Sequence, residues 1–424
     1  MNTRFIALLI FVAAYLIFVI LPARRSLVAI GAAILSILCG TITMHQAFWA
    51  VNWNVIGIFA GTLIIAELFI ESRMPAYLAE KIVAHSKNVC WALIFICALT
   101  GFISAFVENV ATLMIIAPIA LSLSRKLNIR PVTLIIAIAI SSNLQGACTL
   151  IGDPPSMLLA GFAKMNFMDF FAYQGKMSIF FCIEFGALFS FIFLYWVFRR
   201  EKQKISIVMK EKIESFFPSI LLIALLVALA LSSFFDPDFT YLAGTLCLIA
   251  AAIGVGWDIA LKNGMFISLI KAFDWDTTFF LIGVFILVGT LTTSGWTNVL
   301  ASSLAGIIGQ NILLGFIIML FMAMVLSAFI DNVPFLAAML PVAMLISDKL
   351  MVNPTLFLFG LLIGCSVGGN ITPIGAAANI VSMGILKKEG YVVSFMDFVK
   401  IGLPFTVISV AAAGLFTWLV WAPH

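Results

Sequence analysis

Ser327-Ala328-Phe329-Ile330-Asp331-Asn332-Val333-Pro334-Phe335 sets an acid and an amide in the middle of a long apolar run, 313–347. The first half of the chain repeats it at Ser104-Ala105-Phe106-Val107-Glu108-Asn109-Val110, inside the run 90–124. A bilayer crossing takes about 20 apolar residues. Each run is too long for one crossing and too short for two with a surface loop. A re-entrant hairpin with its tip near mid-membrane fits both.

The match extends outward from the tips. Residues 102–162 align with 325–385 without a gap, with 18 identities over 61 positions. Glu108 pairs with Asp331, Pro118 with Pro341 and Lys126-Leu127 with Lys349-Leu350. Thr149, Ile151 and Gly152 pair with Thr372, Ile374 and Gly375. Earlier in each half, Asn52-Trp53-Asn54 corresponds to Asp274-Trp275-Asp276. Shared apolar composition can give scattered identities. It does not place tip, proline and helix break in one register.

The rest of the chain fits a membrane setting. Of its 424 residues, 63% are hydrophobic and 10% charged, against roughly a quarter charged in soluble domains. There is too little polar surface to face water. This excludes a soluble enzyme, a nucleic-acid binder and a disulfide scaffold. The seven cysteines form no metal or redox spacing. Arg4 before an apolar 5–22 resembles a leader, but no small-residue cleavage site follows, and the segment reads as a first span.

Eight stretches read as ordinary spans: 5–22, 26–44, 54–70, 175–198, 216–234, 239–256, 277–293 and 401–422. Two amphipathic stretches, 74–88 and 258–273, are too polar to span and are expected along the interface. Two more regions read as interrupted spans. Asn143-Leu144-Gln145-Gly146 and Gly152-Asp153-Pro154-Pro155 break 131–163, while Gly368-Gly369-Asn370 and Thr372-Pro373-Ile374-Gly375 break 354–385. Unwound backbone in a bilayer persists only where protein or a watery cavity satisfies it.

The expected fold is therefore all-α and polytopic, with two inverted repeats of five crossings plus a hairpin. The first repeat is 1–198, with early helices 5–70, hairpin 90–124 and broken helix 131–163. A basic linker, 199–215, leads to the second repeat, 216–424, with early helices 216–293, hairpin 313–347 and broken helix 354–385. Five crossings invert the second repeat. Of the 23 Lys and Arg, only Arg4, Lys164, Lys176 and Lys349 then fall on the poorer side. The positive-inside rule puts the basic loops, Arg24 and Arg25 among them, in the cytoplasm and both termini outside. The expected setting is a bacterial inner membrane.

Inverted repeats with broken helices mark secondary transporters, whose sites lie between the repeats at mid-membrane. An acid at that depth costs at least about 2.5–3.5 kcal/mol and calls for a partner or a function. Glu108-Asn109 and Asp331-Asn332 are the matched tips. Their carboxylate and amide oxygens suit Na⁺ or a proton, and capping of the return helices is the competing reading. Asp153 before two prolines reads equally as an N-cap. Ser156 and its equivalent Asn379 lie one turn on, and Asn143, Thr149, Gly152, Asn370, Thr372 and Gly375 line the breaks. Glu67 and Glu184 have no acidic counterparts. No Lys or Arg is expected deep in a span.

These residues resemble the ion transporter superfamily, in its branch of arsenite permeases, NhaD-type sodium/proton antiporters and P protein, related to divalent-anion/sodium symporters. The stretch 327–335 resembles the second tip of the P-protein group. Leu150-Ile151-Gly152-Asp153-Pro154-Pro155-Ser156 is similar to its Gly-Asp-Pro-Pro-Asn element, with Ser for Asn. Residues 363–375 are similar to arsenite permeases, with Asn370 where those carry Lys. In the related dicarboxylate transporters Ser-Asn-Thr tips bind sodium and substrate, and here only the Asn of each tip is retained. The resemblance implies elevator transport, a homodimer and coupling to Na⁺ or H⁺ without a further cofactor. The expected function is secondary transport of a small ion or oxyanion. A Na⁺/H⁺ antiporter is the alternative, and an ion channel a more distant one.

Overall fold

In the computed structural model we describe residues 3–21, 24–126, 129–204, 211–262 and 273–423. They form a helical membrane protein. Among these residues, nineteen α-helices are accompanied by two 3-10 turns and one short β-hairpin. Among the described residues, seven helices are long and apolar enough to cross a membrane. Their outer faces carry exposed large side chains such as Leu16, Leu188, Leu261 and Leu419. Such a surface belongs in lipid.

The first half runs α1 (Thr3–Ile20), α2 (Arg25–Leu38), α3 (Met44–Ala50), α4 (Trp53–Glu71) and α5 (Met74–Ala84). A helical hairpin follows, α6 (Val89–Ser104) and α7 (Asn109–Lys126). The interrupted span is α8 (Val132–Gly146) and α9 (Pro154–Ala163), and α10 (Ile179–Phe198) closes the half. The second half runs α11 (Phe217–Ser232), α12 (Leu242–Lys262), α13 (Trp275–Thr293) and α14 (Trp296–Ile308). Its hairpin is α15 (Ile312–Ser327) and α16 (Asn332–Leu350). Its interrupted span is α17 (Thr355–Gly368) and α18 (Ala377–Lys388), and α19 (Phe395–Trp421) ends the chain.

Local chemistry starts matched helices at matched residues. Asn52 accepts the Val55 N–H to cap α4, and Asp274 accepts the Thr277 N–H to cap α13. Asn88 caps α6 through the Trp91 N–H, and Asn311 caps α15 through the Leu314 N–H. Each cap satisfies an amide that a helix start leaves without an intrahelical partner. Arg73 and Gly295, both with positive φ, turn the chain into α5 and α14.

The packing is reciprocal as well. α2 lies on α13, and α12 lies on α4. α9 meets the hairpin arm α16, and α18 meets the hairpin arm α7. Each half therefore completes the other.

Several elements differ from the reading of the chain alone. Residues 258–262 do not lie apart as an interfacial stretch, because α12 continues unbroken through Lys262. The remainder of that stretch, 263–272, lies outside the described residues, as do 205–210 of the basic linker. The helix α14 was not expected, since its small polar residues blur the apolar period. α3 was missed despite its capping box, in which Thr43 and Gln46 bond reciprocally. So was the hairpin Ala172–Tyr173 with Lys176–Met177, turned through Gln174 and Gly175, both at positive φ.

Candidate functional site

The two tips have the same internal wiring. The Ser104 hydroxyl donates to Asn109 Oδ1 at 2.5 Å, and the Ser327 hydroxyl donates to Asn332 Oδ1. Each serine also reaches the interrupted span of its own half. Ser104 lies 2.8 Å from the Ser142 hydroxyl, and Ser327 donates to the Cys365 carbonyl at 2.5 Å. Thr149 donates to the Ala105 carbonyl, and Thr372 donates to the Ala328 carbonyl at 2.5 Å. Hairpin turn and helix break are thus stitched together twice, through residues that the repeat alignment pairs.

Glycine permits this approach. A Cβ on Gly152 would run into the Gly146 carbonyl and stand 3.0 Å from the Ala105 oxygen. A Cβ on Gly375 would stand 2.5 Å from the Gly369 oxygen and 2.9 Å from the Ala328 oxygen. No side chain fits either position without moving backbone.

The interrupted spans also meet one another. Asn143 donates through Nδ2 to Asn370 Oδ1 at 2.9 Å and to Asn379 Oδ1 at 3.0 Å. Asn370 donates to the Ile140 carbonyl, and Asn379 to the Gly369 and Thr372 carbonyls. All three asparagines are buried. They satisfy the carbonyls that the breaks release, as buried polar groups require. The repeat-related partners of Asn143 and Asn379 are Ser366 and Ser156. Both are buried, and both hydroxyls face the Asp153 carboxylate.

Asp153 caps α9, accepting the Ser156 N–H at 2.8 Å from a buried position. Its two prolines occupy the first helical positions, where no amide donor is needed. Among the described residues no hydrogen bond joins Asp153 or Glu108 to the three asparagines. Glu108 accepts the Ala111 N–H at 2.9 Å, so the capping role holds for it too. No ion pair among the described residues reaches Glu108.

Asp331 differs. It accepts the Val333 N–H at 3.0 Å, and Arg25 Nη1 also donates to its carboxylate at 2.5 Å. The same guanidinium donates to Asp276 at 3.1 Å and to the Thr277 hydroxyl at 2.8 Å. The chain alone assigned Arg25 to a basic loop and expected no cation against the tips. The fold corrects this, because the start of α2 packs on the start of α13 and turns Arg25 inward. Tyr15 of α1 adds a bond to the Pro334 carbonyl at 2.5 Å. Glu184 of α10, unassigned from sequence, accepts from the Gln145 amide at 3.2 Å beside the first break. From the sequence alone no site role fell to Arg25 or Gln145, whose partners lie in other segments, or to Ser366.

A family model described as a citrate transporter, CitMHS, matches residues 15–344 and 236–423. The chain belongs to the CitMHS family. This places it in the ion transporter superfamily with the P-protein homologues. A transporter of Mycobacterium tuberculosis is 28% identical, with 98% of each chain covered. The pig P protein is 26% identical over 95% of this chain, which spans 58% of that longer protein. Among solved structures, the YdaH transporter of Alcanivorax borkumensis superposes with a TM-score of 0.62 at 14% identity, over 91% of this chain and 88% of its own. MtrF of Neisseria gonorrhoeae, described among antimetabolite efflux pumps, superposes with a TM-score of 0.62 at 12% identity, over 100% of this chain and 96% of its own. The CitMHS chain thus shares its fold with membrane transporters.

Proposed function

We propose that this CitMHS protein is a secondary active transporter that moves a small ion or oxyanion, driven by a Na⁺ or H⁺ gradient. The observation that carries this reading is the convergence of two wired tips and two broken spans on one buried polar centre. A bilayer protein keeps such a centre only for a task. Asn143, Asn370 and Asn379 frame it, and the hydroxyls of Ser156 and Ser366, with Asp153 beside them, are candidate substrate ligands. The starts of α9 and α18 direct positive partial charge toward it, which favours an anionic or polar solute. Glu108 and Asn109 at one tip, and Asp331 and Asn332 at the other, govern coupling.

In this reading the hairpins and broken spans move as one body against α1, α2, α4 and α11–α13. The protein works as a homodimer, and an active monomer in lipid would count against that. The experiment that tests the transport reading is reconstitution in liposomes under imposed Na⁺ and pH gradients. The screen takes citrate, which the family description names, with arsenite, phosphate, sulfate, dicarboxylates and ²²Na⁺. Gradient-driven accumulation of one of them supports the proposal. Exchange of Na⁺ for protons with no other solute gives the antiporter, and unitary currents give a channel.

A further inference from the structure

The two tips match in sequence and wiring but not in charge compensation. Arg25 holds Asp331 and Asp276 with separate nitrogens, donates to Thr277 with a third, and lies 5.0 Å from the Phe280 ring centroid. The Ser26 hydroxyl takes the other oxygen of Asp276. A guanidinium whose three nitrogens each have an acceptor and whose plane lies near an aromatic ring stays charged at any working pH. Among the described residues, the reciprocal corner, where α12 packs on α4, holds no such cation. There Asn54, the counterpart of Asp276, bonds only backbone: the Phe239 carbonyl at 3.2 Å and the Gly244 N–H at 2.6 Å. A neutral amide thus replaces the acid where no arginine is paired. Glu108 has backbone donors but no ion-pair partner among the described residues, the Arg25 guanidinium acting on it only at longer range.

We infer that Arg25 is a resident counter-cation of the second tip, standing in for an exchangeable ion. This rests on the reading of the tips as coupling sites and narrows it, giving the second tip a docking role in place of the coupling role proposed above. Under it, the first tip alone trades its cation with the medium. The second is neutralised by the chain itself, so coupling draws on Glu108 and Asn109. Asp331 serves to dock the tip on α2 and α13.

The test is Na⁺ binding to the purified full-length protein, by ²²Na⁺ counting and by Na⁺-dependent melting. Arg25→Gln should melt lower in Na⁺-free buffer, bind one Na⁺ more per protomer than the wild type, and regain melting temperature as Na⁺ is added. Adding Asp331→Asn to that variant should remove the gained site. Arg25→Gln that folds and binds no more Na⁺ than the wild type overturns the inference. Should Arg25→Gln fail to fold, Asp331→Asn alone decides. Unchanged Na⁺ stoichiometry supports a resident cation, and loss of one Na⁺ overturns it. Glu108→Gln reports separately on the coupling reading, since a wild type whose ion binding ignores Glu108 defeats that reading while the Arg25→Gln comparison still stands.

Discussion

Asn143 Nδ2 lies 2.9 Å from Asn370 Oδ1, joining the break of the first half to the break of the second. One amide also serves Asn379 at 3.0 Å. Because all three side chains are buried, Asn143→Ala leaves two acceptors without their donor. An orphaned buried polar group costs about 1–3 kcal/mol. The variant should insert, melt lower in detergent and lose most substrate flux. Wild-type flux would remove Asn143 from the site.

Glycine substitutions should separate tight backbone approaches from free ones. Gly152→Ala and Gly375→Ala put a methyl against carbonyl oxygens in the two breaks. Overpacking of this kind costs about 1–3 kcal/mol, so both variants should melt lower and the pair more so. Gly31→Ala and Gly256→Ala add a methyl where no atom lies within 4 Å. In a helix that exchange is neutral or favourable by up to about 1 kcal/mol. Thermal melts of the four proteins side by side check the contrast.

Orientation is open to direct labelling. A single cysteine placed at Lys202 in the basic linker should react with an impermeant maleimide only from the cytoplasmic side. One placed at Lys176, in the hairpin that the charge pattern puts outside, should react only from the opposite face. Labelling of both from one side would overturn the inverted arrangement of the halves.

What the sequence made legible is what local chemistry encodes. Asn52 and Asp274 are capping residues at the start of apolar runs, and Glu108-Asn109 and Asp331-Asn332 are polar breaks within them. Asp153-Pro154-Pro155 announces a helix start. These signals depend on neighbours a few residues away, so one reading of the chain finds them. Arg25 could not be placed, because its partners Asp276 and Asp331 lie in helices far along the chain and Arg25 also fits a positive-inside loop. The bonds from Asn143 to Asn370 and Asn379 depend on how two broken spans pack, which no repeat register specifies. α14 escaped because small residues such as Ala301 and Ser302 keep a helix without marking its apolar face. Polar, glycine and proline interruptions of apolar runs therefore located the breaks, while the contacts across them had to come from the fold.

The last prediction sets Glu108 against Asp331. Glu108→Gln keeps the shape of the side chain and an oxygen able to accept the Ala111 N–H, so capping survives. It removes the one carboxylate of the first tip, which has no ion-pair partner among the described residues and, on the inference above, takes its ion from solution. The protein should fold, insert and bind substrate, while accumulation against a gradient falls toward simple equilibration. Asp331→Asn also keeps a cap acceptor for the Val333 N–H. It loses the contact to Arg25, which stays anchored by Asp276 and Thr277. Transport should slow as the second tip docks less firmly, yet its dependence on the driving gradient should persist. Initial rates and final accumulation, measured in liposomes across imposed Na⁺ and pH gradients, separate the two effects. Full gradient dependence in Glu108→Gln would reduce its carboxylate to a helix cap. Loss of gradient dependence in Asp331→Asn, with Glu108→Gln unaffected, would move coupling to the second tip.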